Sequence, residues 1–213
     1  MLRRSMVWTA VLGLCVASAR AQNPDPLSLR GDEAPAGAIW LDSLDVGAVD
    51  QEIGKAQAGR SVDGNPIRIR GATFKHGVGT HAPSQMRIAL NGSATRFVSM
   101  VGVDDETQGK GSLGFQIWVD GHRVADSQGG WRKGGDEAQM MSVDLHGAKE
   151  LLLVVLDGYN GTASDHADWA GAILMLDPNA KEKPVAVAME PSPPPVIARD
   201  DSPLPRIHNP RVV

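Results

Sequence analysis

The alternation of apolar and polar residues with period two limits the fold of this chain more than any other feature. Residues 115–119 and 86–90 alternate in this way. Successive side chains of a β-strand point to opposite faces, so each segment predicts a strand with one buried face. Residues 97–102 and 151–156 are apolar at nearly every position, and residues 173–176 form a last short apolar run. The first two segments predict buried strands, with residues 97–102 buried on both faces, and residues 173–176 predict the last strand.

Two dipeptides support an all-β fold. Asn91-Gly92 and Asp120-Gly121 can both adopt the positive φ angles that tight hairpin turns require. The predicted strands recur about every ten residues, and no segment has a convincing helical period. The sequence therefore predicts a β-sandwich or barrel.

The N-terminus has the pattern of a secretory signal peptide. Arg3 and Arg4 precede an uncharged, mostly apolar run over residues 6–19, and Ala19-Arg20-Ala21 supplies a small-residue cleavage site. The run is shorter than the roughly 18 apolar residues that span a bilayer. We expect residues 1–21 to be removed after Ala21 and the mature protein to be secreted or periplasmic.

Signal removal changes the composition of the chain. The only cysteine, Cys15, lies in the signal, so the mature chain has no disulfide and must be stabilised by its core. The formal charge moves from −4 to −7 because three arginines and no acid are lost. An acidic chain without a basic cluster indicates neither a nucleic-acid partner nor an anionic membrane surface.

The C-terminus has a different composition. Residues 181–213 contain eight prolines, including Pro193-Pro194-Pro195, and few residues able to form a core. This composition predicts that residues 178–213 form an extended linker, leading to a further domain that is absent from this chain.

Three polar patches lie where apolar runs begin or end, and so predict strand ends or loops. They cover residues 75–82, 101–106 and 165–172. The order and the residues of these patches resemble those of the NPCBM family of carbohydrate-binding modules, over roughly residues 38–177. The resemblance implies an all-β, galactose-binding-like jelly roll over residues 37–177, after a flexible lead-in over residues 22–36.

Residues near these patches are the candidates for binding sugar, because sugars pack against aromatic faces and hydrogen-bond to carboxylate, amide and imidazole groups. The candidate ligand-binding residues are His76, Thr80, His81, Trp131, Tyr159, Asn160, Asp165, His166, Asp168 and Trp169. A structural interpretation stays open for His81, as a buried histidine that joins two loops. Trp169 precedes an apolar strand and could belong to the core, leaving Trp131 or Tyr159 to stack on the sugar.

The acidic run at Asp104 and Asp105 allows a structural calcium ion, because Ca²⁺ is bound by six to eight oxygens. The alternative is a solvated acidic loop. Adjacent residues of a strand point to opposite faces, so these two carboxylates are poorly placed to act together as a glycosidase pair. The sequence has no motif for a nucleophile elbow, a phosphate loop or a zinc protease, and we expect no catalytic residues.

The sequence therefore leads to two hypotheses. In the first, the chain is an exported, non-catalytic module that binds galactoside-type glycans and targets a covalently linked hydrolase. The final residues, 207–213, resemble the junction that leads into bacterial α-galactosidase-like enzymes. In the second, the sandwich packs on a catalytic domain and binds no sugar.

Overall fold

The computed structural model describes residues 23–127 and 130–189. The predicted signal peptide and most of the proline-rich segment lie outside the described residues. The strands are β1 (Ala38–Trp40), β2 (Asp50–Gln51), β3 (Gln57–Ala58), β4 (Arg68–Ile69), β5 (Ala72–Thr73), β6 (Gly77–His81), β7 (Ser84–Ala89), β8 (Ala94–Val103), β9 (Ser112–Val119), β10 (His122–Asp126), β11 (Arg132–Lys133), β12 (Gln139–Asp144), β13 (Glu150–Asp157), β14 (His166–Leu176) and β15 (Val185–Val187). Four short 3₁₀ helices cover Ser28–Arg30, Leu41–Ser43, Val46–Ala48 and Asp105–Thr107.

Two antiparallel sheets pack face to face. The first has the order β12-β8-β14-β6-β3, with β1 pairing to β14. The second has the order β10-β9-β13-β7-β15, with β11 pairing to β9 and β2 to β7. Strands β4 and β5 form a separate two-stranded sheet. The architecture confirms the prediction of an all-β jelly-roll sandwich.

The core lies between the two sheets, and the predicted strand segments supply it. Ile88, Phe115 and Leu151 are fully buried there. Strand β8 is buried on both faces, as predicted, because a second apolar cluster covers the outer face of the first sheet. Ile67 and Phe74 from residues 60–74 pack in that cluster against β8 and β14.

Two of the three polar patches were wrongly predicted to lie at strand ends or in loops. Residues 77–81 form β6, and residues 166–176 form β14, so the last strand begins seven residues before the predicted apolar run. Antiparallel pairing of β14 with both β6 and β8 satisfies the backbone groups of these polar segments, which lets them lie in a central strand.

The described residues on both sides of the predicted module contact the sandwich. The lead-in was expected to be flexible, but Leu29 is fully buried in the second cluster and Lys75 pairs with Asp32. At the other end, β15 lies inside the predicted linker and pairs with β7. Burial of one leucine and pairing along one sheet edge both depend on distant residues, so composition alone did not reveal them.

The two predicted turns both have positive φ angles but connect different elements. Asp120 and Gly121, with φ of 48° and 78°, join β9 to β10 as a hairpin within one sheet. Asn91 and Gly92, with φ of 50° and 73°, join β7 to β8, which belong to different sheets. Turn chemistry therefore located both turns, whereas the pairing of the flanking strands was decided by the packing.

Candidate functional site

Most of the candidate residues lie at one end of the sandwich, which we call the loop end. It consists of residues 104–111, 127, 130–131 and 158–165, together with the end of β6 and the start of β14. His76 does not belong to it. This residue precedes β6, and five residues of extended chain, about 16 Å, separate it from His81.

Trp131 and Tyr159 form an aromatic pair at the loop end. Their ring centroids lie 5.2 Å apart with an interplanar angle of 85°, an edge-to-face arrangement. The Tyr159 residue is 71% exposed, and the indole of Trp131 is half-buried. Trp131 lies directly over Gly114 of β9, where a Cβ atom would lie 2.8 Å from the indole. Because Gly114 has no side chain, the indole of Trp131 can pack directly on the strand.

A groove of about 250 Å³ lies beside Trp131. It is lined by Gly114, Phe115, Gln116, Asp126, Ser127, Gly130, Trp131 and Leu156. The wall thus combines an aromatic face with the carboxylate of Asp126 and the amide of Gln116, which can hydrogen-bond to sugar hydroxyls. The sequence prediction included Trp131 but missed Gln116 and Asp126. Both are polar residues of strands, and a polar residue in a strand indicates only that its side chain faces solvent.

A second polar cluster lies at the same end but on the first sheet. His166 Nδ1 is 2.8 Å from Glu106 Oε1 and 3.7 Å from Asp63 Oδ2. The other Glu106 oxygen accepts hydrogen bonds from Ser61 Oγ and Asn65 Nδ2. Burial raises the pKa of Glu106, but these hydrogen bonds outweigh it and lower the pKa below its usual range. His166 therefore belongs to a network that joins residues 61–65 to the sandwich.

The three consecutive acids hold the segment of residues 60–71 against the first sheet. Asp104 Oδ2 accepts from the Arg68 N–H at 2.8 Å, and its Oδ1 accepts from Glu106 N–H at 2.8 Å. The two oxygens of Asp105 accept from Arg70 N–H and Gly71 N–H at 2.8 and 2.7 Å. We call Asp104, Asp105 and Glu106 the acidic clasp. These contacts explain the acidic run without a metal ion, and calcium at Asp104 and Asp105 stays a prediction.

Five of the candidate ligand-binding residues have buried side chains and so do not line a surface site. Trp169 is 1% exposed and packs edge-to-face between Phe97 and Phe115 in the core, so it cannot stack on a sugar. The other four are Thr80, His81, Asp165 and Asp168. The prediction that they contact a ligand is wrong for this geometry, because their strands turn them inward or under the segment of residues 60–71.

Three of these buried groups have protein partners. His81 Nδ1 lies 2.8 Å from the Ala82 carbonyl oxygen, and Thr80 Oγ1 accepts from Ser84 Oγ at 3.0 Å. Asp165 Oδ1 accepts from the Ser112 N–H at 2.8 Å. The structural interpretation of His81 is therefore the one that the geometry favours.

His76 also has a structural environment. Its ring stacks on Trp40, with centroids 4.4 Å apart and planes 6° apart. Its Nδ1 lies 3.1 Å from Asp42 Oδ2, and its Nε2 lies 3.1 Å from the carbonyl oxygen of Asp32. Among the predicted ligand-binding residues, Trp131, Tyr159, Asn160 and His166 remain accessible at the loop end.

Residues 37–175 match the model of the NPCBM/NEW2 domain. The chain belongs to this family. Its structure is similar to the CBM51 module of a Clostridium perfringens GH95 protein in complex with methyl-galactose, with 31% identity, a TM-score of 0.60, and coverage of 64% of this chain and 99% of that one. The resemblance to a carbohydrate-binding family is thereby confirmed.

Two further relatives have different ligands or activities. A CBM51-2 module of C. perfringens ZmpB, in complex with GlcNAc, is 30% identical over 65% of this chain and 32% of that chain, with a TM-score of 0.60. The Alpha-1,3-galactosidase B of Akkermansia muciniphila is 28% identical over 79% of this chain. This chain spans 8% of one curated relative and 21% of the galactosidase. Within the described residues, no helix has the length and apolar character to cross a membrane.

Proposed function

We propose that this chain is an exported carbohydrate-binding module whose sugar site is the groove beside Trp131. The observation that carries the proposal is the pairing of Trp131 and Tyr159 over Gly114, next to Gln116 and Asp126. The indole offers an apolar face to the C–H side of a sugar ring. The carboxylate and amide supply the few placed polar groups that fix the orientation of a ligand.

The proposed ligand is a terminal galactoside. Two similarities support this choice: the module bound to methyl-galactose and the galactosidase. A terminal N-acetylglucosamine is the second candidate, because a relative of nearly equal identity is bound to GlcNAc. Affinity of a shallow site of this kind is modest alone and rises when the module is tethered to an enzyme that acts on the same glycan.

Export and tethering are part of the proposal. The signal-like N-terminus predicts a mature protein that begins at Gln22, which sequencing of the N-terminus of the exported protein would test. The proline-rich C-terminal segment is the proposed link to a glycoside hydrolase domain. The competing function is a sandwich that only packs on such a domain.

The test is a titration of the full chain with methyl-galactoside and with N-acetylglucosamine by calorimetry. We expect Trp131→Ala and Tyr159→Ala each to weaken galactoside binding at least tenfold. Trp131→Ala removes the aromatic wall of the groove, and Tyr159→Ala removes the ring that packs edge-to-face on the indole. Both side chains lie at the surface, so the two variants should melt within a few degrees of the parent.

Leu27→Ala is the control. Leu27 is an apolar residue of the N-terminal segment that is 68% exposed and does not line the groove. Its removal should leave the affinity unchanged. A folded parent that binds neither sugar would contradict the sugar-binding proposal and favour the packing module, whereas stronger binding of N-acetylglucosamine would change only the ligand.

A further inference from the structure

A second groove lies next to the groove beside Trp131, on the outer face of the second sheet. Its volume is about 240 Å³, and Leu156 of β13 lines both grooves. In the strand order β9-β13-β7, the first groove lies on the β9 side of β13 and the second on the β7 side. The two grooves are therefore neighbours on one surface, and the proposed function uses only the first.

One row of paired residues crosses the sheet beneath both grooves. In register order the row consists of Asp126, Gln116, Val154, Gln85 and Asp50. Residues paired across antiparallel strands point to the same face, and four strand spacings of about 4.8 Å give the row a length of about 19 Å. The row thus has an amide and a carboxylate on each side of a central valine.

The second groove has the same chemical character as the first. Val154 and Leu156 give it an apolar wall, and Asp50, Glu52 and Gln85 are polar residues of its lining. Both carboxylates belong to exposed residues. An apolar wall with a few carboxylate and amide groups can bind one sugar unit, because the wall contacts its C–H groups and the oxygens accept from its hydroxyls.

The amide of Gln85 is available to a ligand. Its Oε1 is buried, and no described residue donates a hydrogen bond to it. A buried acceptor without a donor is uncommon and costs free energy. The last torsion of a glutamine side chain is broad, so the amide can rotate towards the groove and accept from a hydroxyl there.

We propose that the second groove is a subsite for the sugar unit next to the terminal one, so that the module binds a disaccharide or a longer glycan across β13. The inference rests on the proposed function, which places the terminal unit beside Trp131. Gly114, beneath the indole, pairs with Leu156, and two strand spacings, about 10 Å, separate Gly114 from β7. A disaccharide covers this distance. The second unit is a neutral sugar, because the carboxylates of Asp50 and Glu52 repel an acidic one.

The test compares monosaccharides with disaccharides by calorimetry on the full chain. The probes are methyl-galactoside against lactose, N-acetyllactosamine and galactobiose, and N-acetylglucosamine against chitobiose. We expect at least one disaccharide to bind at least fivefold more tightly than its monosaccharide, because the second unit adds hydrogen bonds of ordinary net strength.

Gln85→Ala should remove this gain and keep the monosaccharide affinity within about twofold of the parent's, because the groove beside Trp131 is unchanged. Retained monosaccharide binding also shows that the variant is folded. Gln139→Ala is the matched control. Gln139 is another half-buried glutamine whose Oε1 is buried without a partner among the described residues, but it lies on β12 of the first sheet. This variant should keep both affinities.

Equal affinity of the parent for the monosaccharides and for every disaccharide would overturn the subsite and leave the proposed function intact. A disaccharide gain that Gln85→Ala retains would also overturn it, since the second unit then lies elsewhere. The same holds if Gln85→Ala weakens both kinds of ligand equally, because Gln85 would then contact the terminal unit. A folded parent that binds none of the probes would overturn the proposed function and the subsite together.

Discussion

At the scale of single residues, the packing of the first sheet depends on glycines and polar residues at strand positions where the alternating pattern predicts apolar side chains. Gly77 and Gly79 lie in β6 where other segments approach closely, because the backbones of Trp169 and Arg60 occupy the space of the missing Cβ atoms. Gly102 has the same role against the side chain of Ile69.

Asp165 supports a prediction at this scale. Burial raises the pKa of its carboxyl, an effect that outweighs the hydrogen bond from Ser112 N–H. A raised folded-state pKa means that the stability contributed by this group is complete below about pH 3.8 and is lost as the pH rises through the folded-state pKa. Ionisation of Asp165 therefore destabilises the folded state.

Substitution of Asp165 should separate the charge from the hydrogen bond. Asp165→Asn keeps an acceptor for Ser112 N–H and removes the charge, so its free energy of unfolding at pH 7 should equal or exceed that of the parent. Asp165→Ala leaves a buried N–H unpaired and should cost about 1–3 kcal/mol. Urea denaturation at pH 4 and pH 7 measures both effects. An Asn variant as unstable as the Ala variant at pH 7 would contradict this account.

At the scale of elements, the acidic clasp explains how an irregular segment is held on a regular sheet. Residues 60–71 contain only the two-residue strand β4 and have few sheet hydrogen bonds of their own. Their backbone N–H groups are satisfied instead by carboxylates of the 3₁₀ turn that follows β8. The sequence showed three adjacent acids but could not show that their partners lie about 35 residues earlier.

Removal of one clasp residue should loosen this segment locally. In Asp105→Ala, the amides of Arg70 and Gly71 lose their acceptors, and we expect their hydrogen exchange to accelerate about fivefold, since such bonds each contribute about 1 kcal/mol. Asp45→Ala is the control, because Asp45 accepts only from the nearby Gly47 N–H. Unchanged exchange at residues 70–71 in the first variant would show that the clasp does not hold the segment.

At the scale of the whole molecule, the described fold extends beyond the matched family domain at both ends. The segment before residue 37 packs on the second apolar cluster, where Leu29 lies against Gly171 and Arg30 lies over the ring of Phe74. Strand β15 extends the second sheet after residue 175. The unit to express is therefore the described chain with both flanks, rather than residues 37–175.

A pair of leucines tests the contribution of the first flank. Leu29→Ala removes a fully buried side chain and should lower the free energy of unfolding by about 2–5 kcal/mol. Leu27→Ala, two residues earlier at a position that is 68% exposed, should change it by less than about 0.5 kcal/mol. Chemical denaturation of both variants measures the difference. Equal stability of the two would mean that the N-terminal segment does not fold with the sandwich.

The candidate site was predictable in part. Trp131 and Tyr159 were identified from the sequence as aromatic residues able to stack on a sugar, but the packing of the half-buried Trp131 on Gly114 of β9 was not predicted. Gln116 and Asp126 were missed since polar residues on the outer face of a strand are common. Asp165, Asp168 and Trp169 were assigned to a loop because their mixed polarity hid the start of β14.

The sequence by itself determined the apolar strand segments, the two turns and the family, because side-chain period and turn chemistry are local properties that survive without tertiary context. Only the tertiary structure decided which polar residues meet solvent. The covering of the first sheet by residues 60–74 turned an outward-facing strand side into a buried one, and Asp168 changed with it from a candidate sugar ligand to a fully buried acid. Burial of that kind is set by contacts between residues about 100 positions apart, which no periodicity in a single sequence encodes.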